Sequence, residues 1–148
     1  MKRRIGIASA VMAAVVPALM LATASPASAD ARQCTLAPGP GDTNDSCIQV
    51  WGDGTWVGEV EVWLSSSKYA FPLPGLYPAD VCNVKLDVWG QGKYGGHFEQ
   101  TYTNTGCAKG TLGARFNISR TAVDGSYLCG RTTWNGMASK ANCVIVHS

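Results

Sequence analysis

Residues 129–143 read C-G-R-T-T-W-N-G-M-A-S-K-A-N-C. Asn135-Gly136 separates one run of strand formers, Y-L-C-G-R-T-T-W (127–134), from a second, N-C-V-I-V-H (142–147). An Asn-Gly pair between two β-prone runs predicts a hairpin, because both residues tolerate the positive φ that a tight turn demands. Cys129 and Cys143 then face each other across its open end. A redox C-x-x-C is absent, as is the close Cys or His spacing that zinc requires. The stretch reads as a clamped β-hairpin with Trp134 at its tip.

The same grammar runs upstream. C-I-Q-V-W (47–51) passes through Gly52-Asp53-Gly54 into T-W-V-G-E-V-E-V-W-L (55–64), a second hairpin signal. Alternation assigns Trp56, Gly58, Val60, Val62 and Leu64 to the core, and Val57, Glu59, Glu61 and Trp63 to the other face. V-C-N-V-K-L-D-V-W (81–89) alternates too, with Cys82, Val84, Leu86 and Val88 inward and Asn83, Lys85 and Asp87 outward. Glycine-rich 90–96 then turns the chain into H-F-E-Q-T-Y-T-N-T (97–105). Strict pairing from Cys82–Cys107 would leave Phe98 and Tyr102 outside, so a bulge is expected near Gly106. Leu112, Ala114, Phe116 and Ile118 form the next inward row. About seven strands and no amphipathic helix predict an all-β fold, a small disulfide-stapled antiparallel β-sandwich or short barrel.

Residues 1–29 carry Lys2, Arg3 and Arg4, an apolar run and the small exit Ala27-Ser28-Ala29, the pattern of a secretory signal peptide that is removed. Residues 30–46, rich in Pro, Gly and Asp, predict an irregular N-terminal arm, and 47–148 a single β domain. Three of the twelve Lys/Arg precede Asp30, so nine face ten Asp/Glu in the exported chain. Without a cationic run, nucleic acid is excluded as a partner, and so is a membrane once the signal is cleaved. All six cysteines, Cys34, Cys47, Cys82, Cys107, Cys129 and Cys143, follow the signal, and an even count in a secreted chain reads as disulfides. Pairing neighbours places each midpoint in turn sequence, which favours Cys34–Cys47, Cys82–Cys107 and Cys129–Cys143 among the possible connectivities.

Chemistry finds little support. His97 and His147 have no nucleophile motif beside them, and no cofactor fingerprint or metal cluster is present. Asp42, Asn44 and Asp45 lack the order of an EF-hand and read as a turn held by side-chain-to-backbone bonds. Glu59 and Glu61, about 7 Å apart on one strand face, match the spacing of inverting glycosidases. With Trp63 in their row they keep a carbohydrate-binding or hydrolytic alternative open.

Binding is better supported. S-S-S-K-Y-A-F-P-L-P-G-L-Y-P-A-D (65–80) reads as a stiff apolar loop, since its prolines forbid helix and interior strand. Its Tyr69, Phe71, Leu73, Leu76 and Tyr77 are candidate partner-binding residues, with Trp63 and Trp134 secondary. Aromatics on rigid backbone lose little entropy on docking.

Two resemblances bear on the partner. C-T-L-A-P-G-P-G-D-T-N-D-S-C (34–47) and V-W-G-Q-G-K with F-E-Q-T-Y-T-N-T-G-C (88–107) resemble parts of the actinobacterial subtilisin-inhibitor family. That resemblance implies Val84 as the residue a protease would grasp. The small exported β chain, with its N-terminal arm and C-terminal C-G-R-x-x-W…C hairpin, resembles the adaptor subunits of secreted actinobacterial umbrella toxin particles. This implies that 30–46 straps onto one partner while an aromatic face docks another. The expectation is a secreted, non-enzymatic module that binds another secreted protein, with protease inhibition or a carbohydrate role through Glu59 and Glu61 as alternatives.

Overall fold

The computed structural model describes residues 30–69 and 75–148. The predicted signal peptide, Phe71 and Leu73 lie outside the described residues. Two antiparallel sheets face each other; a single bridge, Gly92–Ala122, joins them at one end, and they do not close into a barrel. The first sheet contains β1 (Ala31–Leu36), β2 (Thr43–Asp53) and β3 (Trp56–Tyr69) side by side. Along the far edge of β3 run β7 (Thr111–Thr121), beside its first two thirds, and the short β4 (Leu76–Pro78), beside its end. In the second sheet β8 (Tyr127–Trp134) and β5 (Asp80–Gly92) are central. β6 (Gly96–Lys109) flanks β5, while β10 (Asn142–Ile145) and β9 (Met137–Ala138) flank β8.

Ile48, Val50, Val60, Val62 and Leu64 from the first sheet meet Val84, Leu86, Val88 and Leu128 from the second, all essentially unexposed. At Gly130 the sheets are close enough that a Cβ would stand 2.7 Å from Val62 Cγ2. A side chain there would push the two layers apart.

The three disulfides are Cys34–Cys47, Cys82–Cys107 and Cys129–Cys143, the pairing expected from the turn sequences, and each joins residues directly opposite in register. Each bridge fastens an outer strand to its inner neighbour. Cys34 ties β1 to Cys47 of β2, Cys107 ties β6 to Cys82 of β5, and Cys143 ties β10 to Cys129 of β8. None crosses the sandwich. The paired cysteine Cα atoms lie 4.1, 4.1 and 4.0 Å apart, the short spacing of non-hydrogen-bonded antiparallel positions. Cys47 lies on the outer face opposite Trp63 and is itself covered, at 3% exposure, while Cys34 is exposed. Such bridges belong to an oxidising compartment.

Register departs from simple alternation at three bulges, the third of them on β7 between Asn117 and Arg120. Between Cys82–Cys107 and Val84–Asn104, β6 carries one more residue than β5, as expected near Gly106. The shift returns Phe98 to the core, at 9% exposure. Tyr102 stays 41% exposed because β6 is the sheet's outer strand. The second bulge was not expected. Between Trp51–Glu59 and Gly52–Val57, β3 carries the extra residue, Gly58. One extra residue reverses the faces beyond it, so Val57 is buried and Trp56 is 47% exposed, opposite to their predicted sides.

Two further expectations are corrected. Much of 30–46 is not irregular: β1, which carries Cys34, and the start of β2, which leads to Cys47, are strands in register from Ala31–Val50 to Leu36–Asp45. Only the turn between them holds the Pro and Gly residues that break strands. Likewise 65–80 is not one loop. Strand β3 runs to Tyr69, β4 pairs back on it, and β5 begins at Asp80. Pro78 is accommodated because β4 lies at an edge. The acidic turn behaves as read: Asp42 Oδ2 accepts the Tyr69 amide at 2.6 Å, and Asn44 Nδ2 donates to Gly41 O at 3.2 Å.

Candidate functional site

The residues proposed from sequence for partner binding separate into three places. Trp134 is not exposed at a hairpin tip. It is 1% exposed and its ring lies against Gly39 of the β1–β2 turn. The tip is Asn135-Gly136, both with positive φ (48° and 81°), as the type I′ turn requires. Trp134 is the last strand residue, two steps beyond buried Thr132, so alternation sends it inward. It is a core residue, not a contact residue.

Trp63, Tyr69 and Leu76 share the outer face of the first sheet. Tyr69 stands three alternations beyond Trp63 on β3, and Leu76 lies directly opposite Tyr69. Tyr77 pairs with Lys68 and so belongs to the opposite face of that extension. Tyr69, Leu76 and Tyr77 are 67%, 49% and 43% exposed. The distance from Trp63 to Tyr69 is roughly 20 Å at 3.3 Å per residue.

Around Trp63 the face becomes organised. Arg32 of β1 lies over the Trp63 ring, 4.9 Å from its centroid. Arg115 of β7 lies over Trp51, at 5.0 Å. Between these stacks, Arg32, Gln49, Glu61 and Arg115 form one row across four strands. The Arg115 guanidinium also approaches Glu61 Oε2 at 3.6 Å and Glu59 Oε2 at 3.9 Å. A shallow cleft of about 400 Å³ opens among Arg32, Gln49, Trp51, Glu61 and Trp63. Gly113 makes it possible: it sits opposite Trp63, and a Cβ there would lie 2.8 Å from Trp63 Cβ.

Each stack contributes about 0.5–1 kcal/mol at an exposed site, which biases the rings and guanidinium groups toward the stacked arrangement. Glu59 and Glu61 both turn toward Arg115. An inverting pair needs open space between its carboxylates for water and a sugar ring. Here the guanidinium takes that space.

Sequence reasoning found Trp63, Glu59 and Glu61 but missed Trp51, Arg32 and Arg115 as members of the site. Trp51 was legible, since it alternates with buried Ile48 and Val50. Arg32 and Arg115 arrive from strands that a linear reading does not place beside β2 and β3.

The outer face of the second sheet carries a related cluster. Asp87 is unexposed, yet accepts from Thr101 Oγ1 (2.8 Å), Lys85 Nζ (2.9 Å) and Arg131 Nη2 (3.2 Å). Burial pushes its carboxyl upward, but these bonds outweigh that and hold it below the usual aspartate value. Arg131 also covers Trp89, at 5.5 Å. This group is structural: the strands bring its charges into mutual contact.

No group of acids, histidines and cysteines suited to a metal ion occurs among the described residues, and no helix there is long and apolar enough to cross a membrane. No family model matches the chain, and no curated protein and no solved structure is similar to it.

Proposed function

We propose that this is a secreted, non-enzymatic module that binds another protein through the outer face of its first sheet, as an adaptor between larger partners. One observation carries the reading: Trp51, Trp63, Arg32 and Arg115 are stacked in place on the same rigid face that ends in exposed Tyr69 and Leu76. Trp, Tyr and Arg dominate protein-interface hot spots. The face is longer than a small ligand and suits the roughly 800 Å² that a protein partner covers. Pre-stacked side chains have little freedom left to lose on docking.

The alternatives fit less well. Val84, implied as the protease-facing residue, is wholly buried in a central strand. Arg115 occupies the space a hydrolytic Glu59–Glu61 pair would need. The 30–46 region pairs with its own sheet through β1 and is tied to it by Cys34–Cys47, so its deletion would test folding rather than binding.

The test uses the exported chain as bait in the producing culture's supernatant, beside the Trp51→Ala/Trp63→Ala double variant. A partner isolated with the parent chain is then titrated against both. The expected result is affinity lowered at least about a hundredfold, near 2.7 kcal/mol, with thermal unfolding little changed. Equal affinity for both baits would exclude this face. Titration against subtilisin serves as the control, and stoichiometric inhibition would favour the inhibitor reading instead.

A further inference from the structure

A second cleft, of about 390 Å³, opens at the end of the sandwich where the β2–β3 and β5–β6 turns meet the end of β7. Trp56, Lys93, Tyr94, Ser119, Arg120 and Thr121 line it, with glycines of the β5–β6 turn. Its size lies within the range of small-ligand sites. Three features distinguish it from the face already described.

The first is charge. Lys85, Lys109, Arg115 and Arg131 each stand within ion-pair distance of a carboxylate. Among the described residues Lys93 and Arg120, like Arg32, Lys68 and Lys140, have no such ion pair, and what sets this cleft apart is that no carboxylate lines it, whereas Glu61 lines the other. Lys93 Nζ lies 5.6 Å from the Tyr94 ring, and the Arg120 guanidinium 5.8 Å from the Phe98 ring. Both cations are exposed beside a ring.

The second is aromatic surface. Tyr94 is 87% exposed, and Trp56 is presented to solvent by the Gly58 bulge. The third is backbone geometry. Ser119 has φ of 44°, in the left-handed region, at a bulge where β7 carries one more residue than β3. Asn83, with φ of 53°, sits likewise at the β5–β6 bulge; what the β7 bulge adds here is a change in where its side chains are aimed.

We infer that this cleft binds a sugar acid, a pyranose ring bearing a carboxylate. The carboxylate would be met by Lys93 and Arg120, and the apolar C–H face of the ring by Trp56 or Tyr94. Ring hydroxyls would donate to Ser119 Oγ, whose own proton goes to Asn117 Oδ1, and would match the Thr121 side chain, groups for which an apolar carboxylate has no use. A peptide is disfavoured because the adjoining backbone of β5, β6 and β7 is already paired, at Gly92–Gly96 and Gly92–Ala122.

The test is calorimetric titration of the exported chain with trigalacturonate, whose carboxylates lie along a chain, and with sialyllactose, whose carboxylate is terminal. Methyl-esterified trigalacturonate and triglutamate are the comparison probes. Binding of at least one sugar acid is expected. Where trigalacturonate binds, its ester should bind at least about tenfold more weakly, near 1.4 kcal/mol. Trp56→Ala and Arg120→Gln, both at exposed positions, should each weaken the sugar acid at least about tenfold, while Leu36→Ala, exposed at the opposite end of the sandwich, leaves it unchanged. Failure of both sugar acids to bind overturns the inference. So does equal binding of the ester, tighter binding of triglutamate, or indifference to both cleft variants. Because none of Arg32, Trp51, Trp63 and Arg115 lines this cleft, the outcome is separate from that of the protein-docking face.

Discussion

Substituting Asp87 by Asn tests the electrostatics of the second sheet. The amide keeps the volume and can still accept from Thr101, but it loses the charge that faces Lys85 and Arg131. Those partners are 46% and 40% exposed, so solvent screens each pair and limits it to about 1 kcal/mol. Some of the gross loss of about 2 kcal/mol is recovered because a neutral amide is cheaper to bury than a carboxylate, leaving about 1.5 kcal/mol net. For a chain the length of residues 30–148, unfolding entropy is about 0.25 kcal/mol per degree, so the midpoint should fall by roughly 6 °C at pH 7. The gap should also depend on pH. The folded-state pKa lies below the unfolded value near 3.9, so the stabilisation is complete above about pH 5 and fades as pH falls through the folded value. Melting curves of parent and variant should therefore converge on acidification toward pH 2. A gap that persists unchanged at low pH, or parent and variant melting together at pH 7, would refute the reasoning.

Two other perturbations probe the core. Trp134→Ala should lower stability by about 3–5 kcal/mol in urea titrations, because it empties the space beneath Gly39; a loss under 1 kcal/mol would mean the ring is not buried in solution. Gly130→Ala inserts a methyl group 2.7 Å from Val62 Cγ2 and should cost about 1–3 kcal/mol in the same assay, whereas an unchanged midpoint would show that the sheets separate easily.

The sequence alone determined what depends on neighbours along the chain. Period-two alternation marked strands, Asn135-Gly136 and Gly54 marked turns, and cysteines flanking turn sequence, Cys34 and Cys47 among them, marked bridges between paired strands. The bulge near Gly106 was legible as well, because a disulfide pinned the register on one side and Phe98 required the other. Gly58 carried no such pin, so the reversal of Trp56 and Val57 went unread. Trp134 was misplaced because proximity to a turn was weighed above the alternation of its own strand.

What only the tertiary structure decided is which strands lie side by side when they are not consecutive. β7 joins β3 across the intervening β4, β5 and β6, and this pairing alone brings Arg115 to Glu59, Glu61 and Trp51. Arg120 likewise meets the β5–β6 turn only because the end of β7 is bonded to it, through the Gly92–Ala122 bridge and the Lys93 amide donating to Thr121 O at 2.8 Å. Local propensity acts over a few residues and settles faces and turns. Burial of a shared core is a property of the whole chain, and it alone selects among strand orders that satisfy every local preference equally well.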